Sequence, residues 1–548
     1  PKFYLREHAV MFFPWINFNN FPQLQEMLLT LQMMVLKDPG SSIIYLYMVG
    51  SAVLTYLIGA RWFDRTTGLI GAILFMLIPE VYRDSQAAYV EHVLVFYTLL
   101  AFHGFLVWYS SRDSKWLALT GMAAGLACSA KYLGMISTLI ILILIAVAYR
   151  LPMPVDEAGA DPAESIHEGK PIRVVGRNIG VALLWTVIIA SPWYIRNIVY
   201  FGNPFFPFFE SIFGWVPVGT YDYLSSELAV DHSAMLKYFR FEPTLMKIIG
   251  LPWNATFHHN HPNTTFVPSK VGPFFLAFTP AVLFVGKWKR EATMIVLFLA
   301  LYYGYWFFVE QIEYQRYLIS IYPIHSLLAA WGLARLLSLD AFDARNRKHL
   351  AWLMVAVAFG FMFFVKTTTR FAYSGRSLVF ANEDARRDYL KSRFNEWEMI
   401  EAINAQVADG GPMFTEDTRI YGLAYQTRRY YLDCHLIGNP WAYASYFECI
   451  QHADSGADLY GWLRSYGCDY LFFNEREAQI MSYILDIELP QDDVFTTFFE
   501  EIASAGTVHL YRLVAPGEAR MGPAASGPAG IGPPTEIPGV AEAEAEEE

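Results

Sequence analysis

Charged residues are scarce in this chain of 548 residues, at 17% of the total. Soluble domains carry about a quarter of their residues as Asp, Glu, Lys and Arg. Hydrophobic residues make up 54% and aromatic residues 17%, and the first two-thirds of the chain is far more apolar than the last third. The composition therefore excludes an ordinary soluble protein and predicts a membrane protein with a soluble part near its C-terminus.

Cysteine is also rare, and its pattern excludes several classes of site. Cys128 lies in an apolar stretch, where packing accounts for it, whereas Cys434, Cys449 and Cys468 lie in the C-terminal part. Three cysteines cannot all pair with one another, so at most one disulfide is expected there. The spacing fits no zinc finger, and the sequence has no P-loop, no dinucleotide-binding fingerprint and no Gly-x-Ser-x-Gly motif.

The two ends of the chain are unusual in charge and in processing signals. The net charge is -12, but the acid is concentrated in the Ala/Glu run at the C-terminus, so the charge says little about nucleic acid and no nucleic-acid partner is predicted. The N-terminus lacks both an initiator Met and a cleavable signal peptide. We therefore expect the chain to begin within a longer protein.

Ten apolar stretches are candidates for membrane spans, since a helix needs about 20 apolar residues to cross the hydrocarbon core. The neighbouring stretches 116–130 and 132–149 could be one broken helix or two helices that meet at Lys131. Two helices are favoured, because a lysine suits the membrane interface better than the membrane centre. The predicted spans are 42–60, 67–82, 88–109, 116–130, 132–149, 178–197, 271–287, 292–310, 317–337 and 350–366.

Loop charges orient these spans. Every second loop is rich in Lys and Arg, and the positive-inside rule assigns such loops to the cytoplasm. The segment 1–41, the long loop 198–270 and everything after residue 366 then face outward. An outward first segment requires a further span upstream of Pro1. The expected location is the inner or plasma membrane, crossed many times, with an extracytoplasmic C-terminal part.

The predicted architecture is a polytopic α-helical bundle followed by a soluble α/β domain. The soluble domain is indicated by a helix at 458–465 and by strands at 468–473 and 508–513. The tail is rich in Pro, Gly, Ala and Glu and should be disordered. The parts are an outer segment 1–41, a membrane domain 42–381 with the large outer loop 198–270, the soluble domain 382–514 and the tail 515–548.

Charged and polar residues collect at the outward ends of the predicted spans. Such groups are costly at membrane depth and call for a functional explanation. One carboxylate and three cations suit a lipid-phosphate substrate, because cations hold a leaving phosphate and a carboxylate deprotonates an acceptor hydroxyl. The candidate catalytic residue is Glu91, and the candidate substrate-binding residues are Lys131, Tyr132, Arg196, Asn197, Arg316 and Tyr317.

Short motifs follow one another between residue 1 and about residue 337. They are Asn20-Phe21-Pro22 with Glu26-Met27-Leu28, Ala88-Tyr89-Val90-Glu91, Ser129-Ala130-Lys131-Tyr132, Pro192-Trp193 with Arg196-Asn197, Gly202-Asn203-Pro204 and Arg316-Tyr317. With these motifs, in this order, the sequence resembles the GT-C type of membrane glycosyltransferase, in the group of protein mannosyltransferase-like and aminoarabinose transferase-like proteins.

This resemblance implies transfer of a sugar from a polyprenyl-phosphate donor to an acceptor on the outer face, with inversion and a carboxylate base. Glu91 occupies the place of a second acid, where Asp is common in the family. The first-loop acid would lie before Pro1, so this chain is expected to lack it. Lys131, Arg196 and Arg316 would contact the donor phosphate. Tyr132 and Tyr194 would stack on sugar or lipid.

Several alternatives stay open at the level of the sequence. Interfacial cations also anchor helices to headgroups, and interfacial tyrosines form aromatic belts. The whole chain could instead be a scaffold that presents its C-terminal domain, or a transporter or flippase. His258, His259 and His261 offer a divalent metal site without a recognised spacing. Glu26 lies on an amphipathic helix predicted over 22–36 and is read as a solvated or paired residue.

Overall fold

A computed structural model of the chain describes helices of the membrane domain and a sheet in the C-terminal part. Contacts divide the chain into two units: Pro1–Phe12, Asn19–Val216 and Val230–Ser374 form the first, and Phe13–Phe18, Pro217–Ala229 and Gly375–Glu548 form the second. The described residues are 1–11, 20–36, 42–85, 89–150, 171–206, 208–213, 271–284, 288–310, 315–337, 383–394, 396–423, 432–437, 455–476 and 497–515, with single positions or pairs between 244 and 360 and at 478.

Helices make up the described part of the first unit, and they pack around one apolar core that includes Phe102, Trp108, Phe298 and Trp331. Three short segments of other helix types adjoin these helices in the described part: the 3₁₀ helices Thr279–Phe284 and Gln315–Ile321 and the π-helix Trp306–Glu310. The helices are α1 Lys2–Arg6, α2 Leu24–Leu36, α3 Ser42–Trp62, α4 Arg65–Leu77, α5 Pro79–Ser85, α6 Glu91–Ser111, α7 Lys115–Ala130, α8 Leu133–Val147, α9 Pro171–Phe201, α10 Glu210–Phe213, α11 Phe274–Phe278, α12 Arg290–Tyr305 and α13 Tyr322–Leu336.

Five of the described helices are long and apolar enough to cross a membrane, and each overlaps a predicted span. The other predicted spans within the described residues form shorter apolar or broken helices. The last predicted span, 350–366, lies almost wholly outside the described residues. The five are Ser42–Trp62, Glu91–Ser111, Ile172–Phe201, Arg290–Val309 and Arg316–Leu336.

The prediction of one helix over 67–82 is wrong, because the chain breaks at Pro79. Helix α4 ends at Leu77, and Ile78 is extended with φ -62° and ψ 122°. A proline restricts the residue before it to such a conformation and cannot donate a backbone hydrogen bond. Pro79 instead starts helix α5, whose Val81 backbone oxygen lies 2.9 Å from Nε2 of the buried His92.

The junction between helices α7 and α8 confirms the prediction of two helices that meet at Lys131. Helix α7 ends at Ala130, and Lys131 is extended with φ -160° and ψ 149°. Helix α8 begins two residues later, at Leu133. Because this backbone turns out of the helix at Lys131, the lysine side chain lies at the end of both helices.

Helices α7 and α9 approach each other through glycines. A Cβ atom on Gly121 would lie 2.2 Å from the Ala182 backbone oxygen, and one on Gly125 would lie 2.8 Å from the Thr186 backbone oxygen. The Thr186 hydroxyl donates to the Gly121 carbonyl at 3.1 Å. Small residues allow helices to pack this closely within a membrane. The contact aligns the end of α9 with the α7–α8 junction.

Helix α9 continues through Pro192 and ends at a glycine. Pro192 cannot donate to the Ile188 carbonyl, and the Ser191 hydroxyl donates to that carbonyl at 2.9 Å instead. Gly202 has φ +67° and donates its N–H to the Ile198 carbonyl at 2.8 Å, which stops the helix. The helix therefore runs through residues 198–201, which were assigned to the outer loop.

The second unit contains a five-stranded mixed sheet with an apolar cluster on each face. Strand β1 pairs in parallel with β2 on one side and with β3 on the other, whereas β5 pairs antiparallel with β3 and β4. The helices are α14 Glu383–Arg393, α15 Trp397–Ala408 and α16 Gly456–Ser465, and the strands, in the order β2-β1-β3-β5-β4, are β1 Arg419–Leu423, β2 His435–Ile437, β3 Tyr470–Asn474, β4 Phe499–Ala505 and β5 Val508–Leu513.

Local signals in the sequence explain several of these elements. Helix α16 begins after Ser455, whose hydroxyl accepts from the Asp458 N–H at 3.2 Å, and it ends before Gly467, which has φ +69°. Strands β4 and β5 are joined by a two-residue turn with Gly506 at φ +64°. Cys434 and Cys468 are buried and are not joined to each other by a disulfide, and Cys449 lies outside the described residues.

Candidate active site

Glu91 is the centre of a charged cluster at one end of the first unit. It is the first residue of helix α6, where the helix dipole favours a negative charge. The Lys131 Nζ donates to Glu91 Oε1 at 3.0 Å, and the Arg316 Nε lies 4.0 Å from the same oxygen. The side chain of Glu91 is 3% exposed, against 20% for Lys131 and 24% for Arg316. A buried acid thus lies beneath two cations that reach the surface.

Aromatic rings surround the two cations. The Lys131 Nζ lies 4.6 Å from the centre of the Tyr317 ring. The Arg316 Cζ lies 5.4 Å from the centre of the Tyr89 ring and 5.7 Å from that of Tyr317. Ring faces attract cations and orient them without neutralising their charge. The rings therefore hold both cations beside Glu91 and leave their charge available to an anion.

The described side chains of this cluster that carry charge are one acid and two cations. Glu91 contributes one negative charge, and Lys131 and Arg316 contribute two positive charges. A buried carboxylate is tolerated only when cations or hydrogen bonds compensate it. Both cations compensate Glu91 and stay partly exposed, so each can also contact an anion from outside. The Oε2 atom of Glu91 is buried and has no hydrogen-bond partner among the described residues.

Arg196 and Asn197 lie at the end of helix α9 and hold the segment before helix α2. Asn197 is 1% exposed, and its Nδ2 donates to the Asn20 carbonyl at 2.9 Å and to the Tyr132 hydroxyl at 3.1 Å. The Arg196 Nη2 donates to the Phe21 carbonyl at 3.3 Å, and its Cζ lies 5.3 Å from the Trp193 ring centre. Asn197 therefore links helix α9 to the backbone of Asn20 and to Tyr132. Contacts of Arg196 and Asn197 with a sugar-donor lipid stay predictions.

Tyr132 and Tyr194 are packed within the protein. The Tyr132 hydroxyl donates to the Phe206 carbonyl at 2.9 Å, and its ring lies edge-on to those of Phe21 and Phe208, with both pairs of centres 5.4 Å apart. The Tyr194 hydroxyl donates to the Cys128 carbonyl at 3.2 Å. These contacts link helices α7 and α9 with the segments around Phe21 and Phe206. A contact between either ring and a sugar or lipid stays a prediction.

Acidic residues that sequence reasoning did not assign also lie buried in this unit. Glu80 and Asp84 on helix α5 are 2% and 0% exposed, and α5 packs against α6. Their signal in the sequence is a pair of acids four residues apart, the first of them directly after Pro79, at the end of an apolar run. The sequence predicts that Glu26 is a solvated or paired residue. Its Oε2 is instead buried, without a hydrogen-bond partner among the described residues.

Metal ligation finds no support within the part of the chain that the structure describes. No group of three or more His, Cys, Asp or Glu side chains is arranged there to hold a metal ion. The candidate ligands His258, His259 and His261 lie outside the described residues. The metal site proposed for them stays a prediction.

Comparison with known proteins adds a family match. The model of the dolichyl-phosphate-mannose-protein mannosyltransferase family matches residues 43–160, which contain Glu91, Lys131 and Tyr132. This match confirms the resemblance drawn from the sequence motifs. Together with the five apolar helices, it makes the chain an integral membrane protein. A comparison with curated protein sequences gave no match.

Solved structures show distant likeness over most of the chain. The crystal structure of ArnT from Cupriavidus metallidurans bound to undecaprenyl phosphate is 13% identical, with a TM-score of 0.49 over 90% of this chain and 88% of that one. The Archaeoglobus fulgidus oligosaccharyltransferase in its apo form is 14% identical, with a TM-score of 0.45 over 92% of this chain and 67% of that one.

Proposed function

We propose that this protein transfers a sugar from a polyprenyl-phosphate donor to an acceptor on the outer face of the membrane, with inversion at the anomeric carbon. The observation that carries the proposal is the pair of partly exposed cations, Lys131 and Arg316, beside the buried carboxylate of Glu91. The match to a family named for dolichyl-phosphate-mannose supports a lipid-phosphate donor. The acceptor is a protein, lipid or glycan that offers a hydroxyl group.

The reaction requires charge stabilisation at the phosphate. The acceptor oxygen forms a bond to the anomeric carbon while the bond from that carbon to the phosphate oxygen breaks. The phosphate leaves with the electron pair and gains negative charge, which fixed cations stabilise more in the transition state than in the bound donor. Lys131 and Arg316 supply that charge in this proposal. Arg196 supplies a third cation, as the resemblance to the family implies.

Glu91 acts on the donor through the two cations. The sequence predicts Glu91 as the candidate catalytic residue. Its Oε1 contacts Lys131 and lies near Arg316, and its burial keeps it behind them. These contacts favour a positioning role, in which Glu91 fixes both cations at the spacing that a phosphate needs. Phosphate esters are bound by such paired cations in many transferases.

Substitution of Arg316 tests the proposal directly. Full-length protein in membranes is incubated with a panel of labelled polyprenyl-phosphate sugars, and release of the label is measured. We expect the unsubstituted protein to consume at least one donor and Arg316→Ala to lose about 100-fold or more in turnover, as removal of a charge-stabilising group does. Arg61→Ala is the matched control, since Arg61 lies at the end of α3 beside Trp62.

Two results would count against this proposal. The transferase function is overturned if the unsubstituted protein consumes no donor across a broad panel, and the scaffold function then takes its place. The assignment of the phosphate site is overturned if Arg316→Ala and Arg61→Ala turn over equally well. A loss in Arg316→Ala alone supports both the function and the site.

A further inference from the structure

The segment that carries Arg316 and Tyr317 is wound as a 3₁₀ helix rather than as an α-helix. This 3₁₀ helix spans Gln315–Ile321 and runs directly into helix α13, which begins at Tyr322. Hydrogen-bond geometry is poorer in a 3₁₀ helix, and runs longer than three or four residues are uncommon. A run of seven residues beside the charged cluster therefore needs support from other side chains.

The winding of this segment determines where the Arg316 side chain lies. A 3₁₀ helix turns by about 120° and rises by about 2.0 Å per residue, whereas an α-helix turns by about 100° and rises by about 1.5 Å. Between Ile321 and Arg316 the two forms therefore come to differ by about 100° in direction and about 2.5 Å in height. In the 3₁₀ form, the Arg316 Nε lies 4.0 Å from Glu91 Oε1. Extension of α13 backwards as an α-helix would remove Arg316 from this position.

A buried tyrosine on helix α12 bonds to this 3₁₀ helix at two points. The Tyr302 hydroxyl donates to the Tyr317 carbonyl at 3.2 Å, and it accepts from the Ser320 hydroxyl at 2.8 Å. Tyr302 is 1% exposed, and Ser320 is fully buried. Positions 317 and 320 are one turn apart in a 3₁₀ helix, which places both groups on the side that faces Tyr302. The hydroxyl therefore stabilises the 3₁₀ winding and fixes it against α12.

The bonded segment leads directly to the cations of the site. Tyr317 follows Arg316, and the centre of its ring lies 4.6 Å from the Lys131 Nζ and 5.7 Å from the Arg316 Cζ. The 3₁₀ helix also packs against helix α6, which begins at Glu91. A shift of the Tyr317 backbone would therefore displace the ring beside Lys131 and the guanidinium of Arg316 together.

We propose that Tyr302 is a positioning residue, which keeps this segment in its 3₁₀ form and thereby holds Arg316 beside the leaving phosphate. The inference rests on the proposed transfer from a polyprenyl-phosphate sugar. Tyr302 acts through the backbone of Tyr317. Loss of its hydroxyl lets the segment adopt the α-helical winding of α13, and Arg316 then loses its alignment with Lys131. Misplacement of a catalytic group by about 1 Å can cost about 100-fold in rate.

Two matched tyrosine variants of the full-length protein test this role. Tyr302→Phe removes the bonding hydroxyl and keeps the ring. Tyr303→Phe is the control, because the neighbouring Tyr303 hydroxyl lies 2.8 Å from Nδ1 of His325 on helix α13 and bonds there instead of to the 3₁₀ helix. We expect turnover of the donor to fall about 10-fold or more in Tyr302→Phe and to stay at the unsubstituted value in Tyr303→Phe. Thermal unfolding should shift by similar amounts in both, since each loses the hydrogen bonds of one hydroxyl.

A double variant shows whether Tyr302 acts through Arg316. If it does, Arg316→Ala and the double variant Tyr302→Phe with Arg316→Ala should turn over within about twofold of each other. A structural role alone predicts that the two losses multiply. Ser320→Ala removes one of the two hydrogen bonds and should lower turnover about threefold. This variant gives the same comparison if Tyr302→Phe does not fold.

The outcomes separate this inference from the proposed function. Turnover by Tyr302→Phe at the unsubstituted rate overturns the role of Tyr302 and leaves the transferase function standing. Equal losses in Tyr302→Phe and Tyr303→Phe, or losses that multiply in the double variant, overturn it as well, since Tyr302 then supports only the fold. Absence of any turnover by the unsubstituted protein overturns the function and this inference together. A loss that is confined to Tyr302→Phe and disappears in the Arg316→Ala background supports both.

Discussion

The two ends of helix α6 carry cations in different surroundings. At the N-terminal end, Lys131 and Arg316 meet the buried carboxylate of Glu91. At the C-terminal end, Arg112 follows the helix, and its guanidinium lies 4.8 Å from the Trp108 ring centre and 5.1 Å from that of Tyr149. Its Nη2 donates to the Ala148 carbonyl at 3.1 Å. The first end joins opposite charges, whereas the second joins a cation to rings and a backbone oxygen.

Lys289 belongs to the second kind of environment. Its Nζ donates to the carbonyls of Trp62 and Phe63 at 2.9 Å and 3.1 Å, at the end of helix α3. Cations at the C-terminal ends of helices satisfy carbonyls that have no partner within the helix. Arg112 and Lys289 are thus explained by the helix ends that they contact. Helix ends do not explain Lys131 and Arg316 in this way, because these cations contact the carboxylate of Glu91, and the burial of that carboxylate itself costs free energy.

This difference separates anchoring cations from candidate ligand-binding cations. Both kinds occur at span ends, and in the sequence both read as a basic residue beside an apolar stretch. The acid distinguishes them, since a buried carboxylate with two cations is a costly arrangement that stability alone does not require. Substitution of a cation of each kind, with thermal stability and turnover both measured, tests this distinction.

The largest effect on stability is expected from Lys131→Met. This change leaves Glu91 buried with Arg316 at 4.0 Å as the nearest cation, and loss of a buried ion-pair partner costs about 3 kcal/mol or more. The double variant Lys131→Met with Glu91→Gln should regain most of the lost stability, because no buried charge is left uncompensated. It should not regain turnover. Thermal unfolding in detergent and the donor assay measure the two quantities.

A different result would remove the distinction between the two ends. If Lys131→Met unfolds at the unsubstituted temperature, Glu91 does not depend on Lys131. If the double variant regains turnover together with stability, the charged cluster has only a structural role. Stability that recovers without activity supports a phosphate site at this end.

An intermediate effect is expected from two buried asparagines on helix α9. Asn197 lies at the end near Glu91 and donates to the Asn20 carbonyl, whereas Asn178 lies at the other end and donates to the Tyr149 hydroxyl. Replacement of either by Ala leaves buried groups unpaired and costs about 2 kcal/mol. Turnover should fall only in Asn197→Ala, because that residue also donates to the hydroxyl of Tyr132, which directly follows Lys131. Equal turnover in the two variants would contradict this placement.

Part of this arrangement could be predicted from the sequence, because some residues determine local structure by themselves. Lys131 interrupts an apolar run at a point where a lysine is costly, and the chain leaves the helix there. Glu91, Lys131 and Arg316 were assigned to one face from loop charges alone, and the structure brings their side chains together. The positive-inside pattern was sufficient for this, since it fixes which span ends share a side.

Other features depend on contacts that no local pattern records. Glu26 lies on a helix with an apolar face, and its polar neighbours Gln25 and Gln32 are buried as well. No local pattern therefore indicates that the Oε2 atom of Glu26 is buried. Asn197 was read as a ligand for the donor, yet its side chain holds the backbone of Asn20. Both roles depend on tertiary packing between segments far apart in sequence.

The smallest effect is expected from Arg112→Ala at the other end of helix α6. Removal of the guanidinium loses its contacts with aromatic rings and the Ala148 carbonyl, which costs about 1 kcal/mol. Turnover should stay at the unsubstituted value, because the contacts of Arg112 are made at the end of α6 opposite to Glu91. Thermal unfolding in detergent measures the stability of Arg112→Ala, and the donor assay measures its turnover. If turnover falls as far as in Arg316→Ala, the two ends are coupled, and cations of the anchoring kind contribute to the reaction as well.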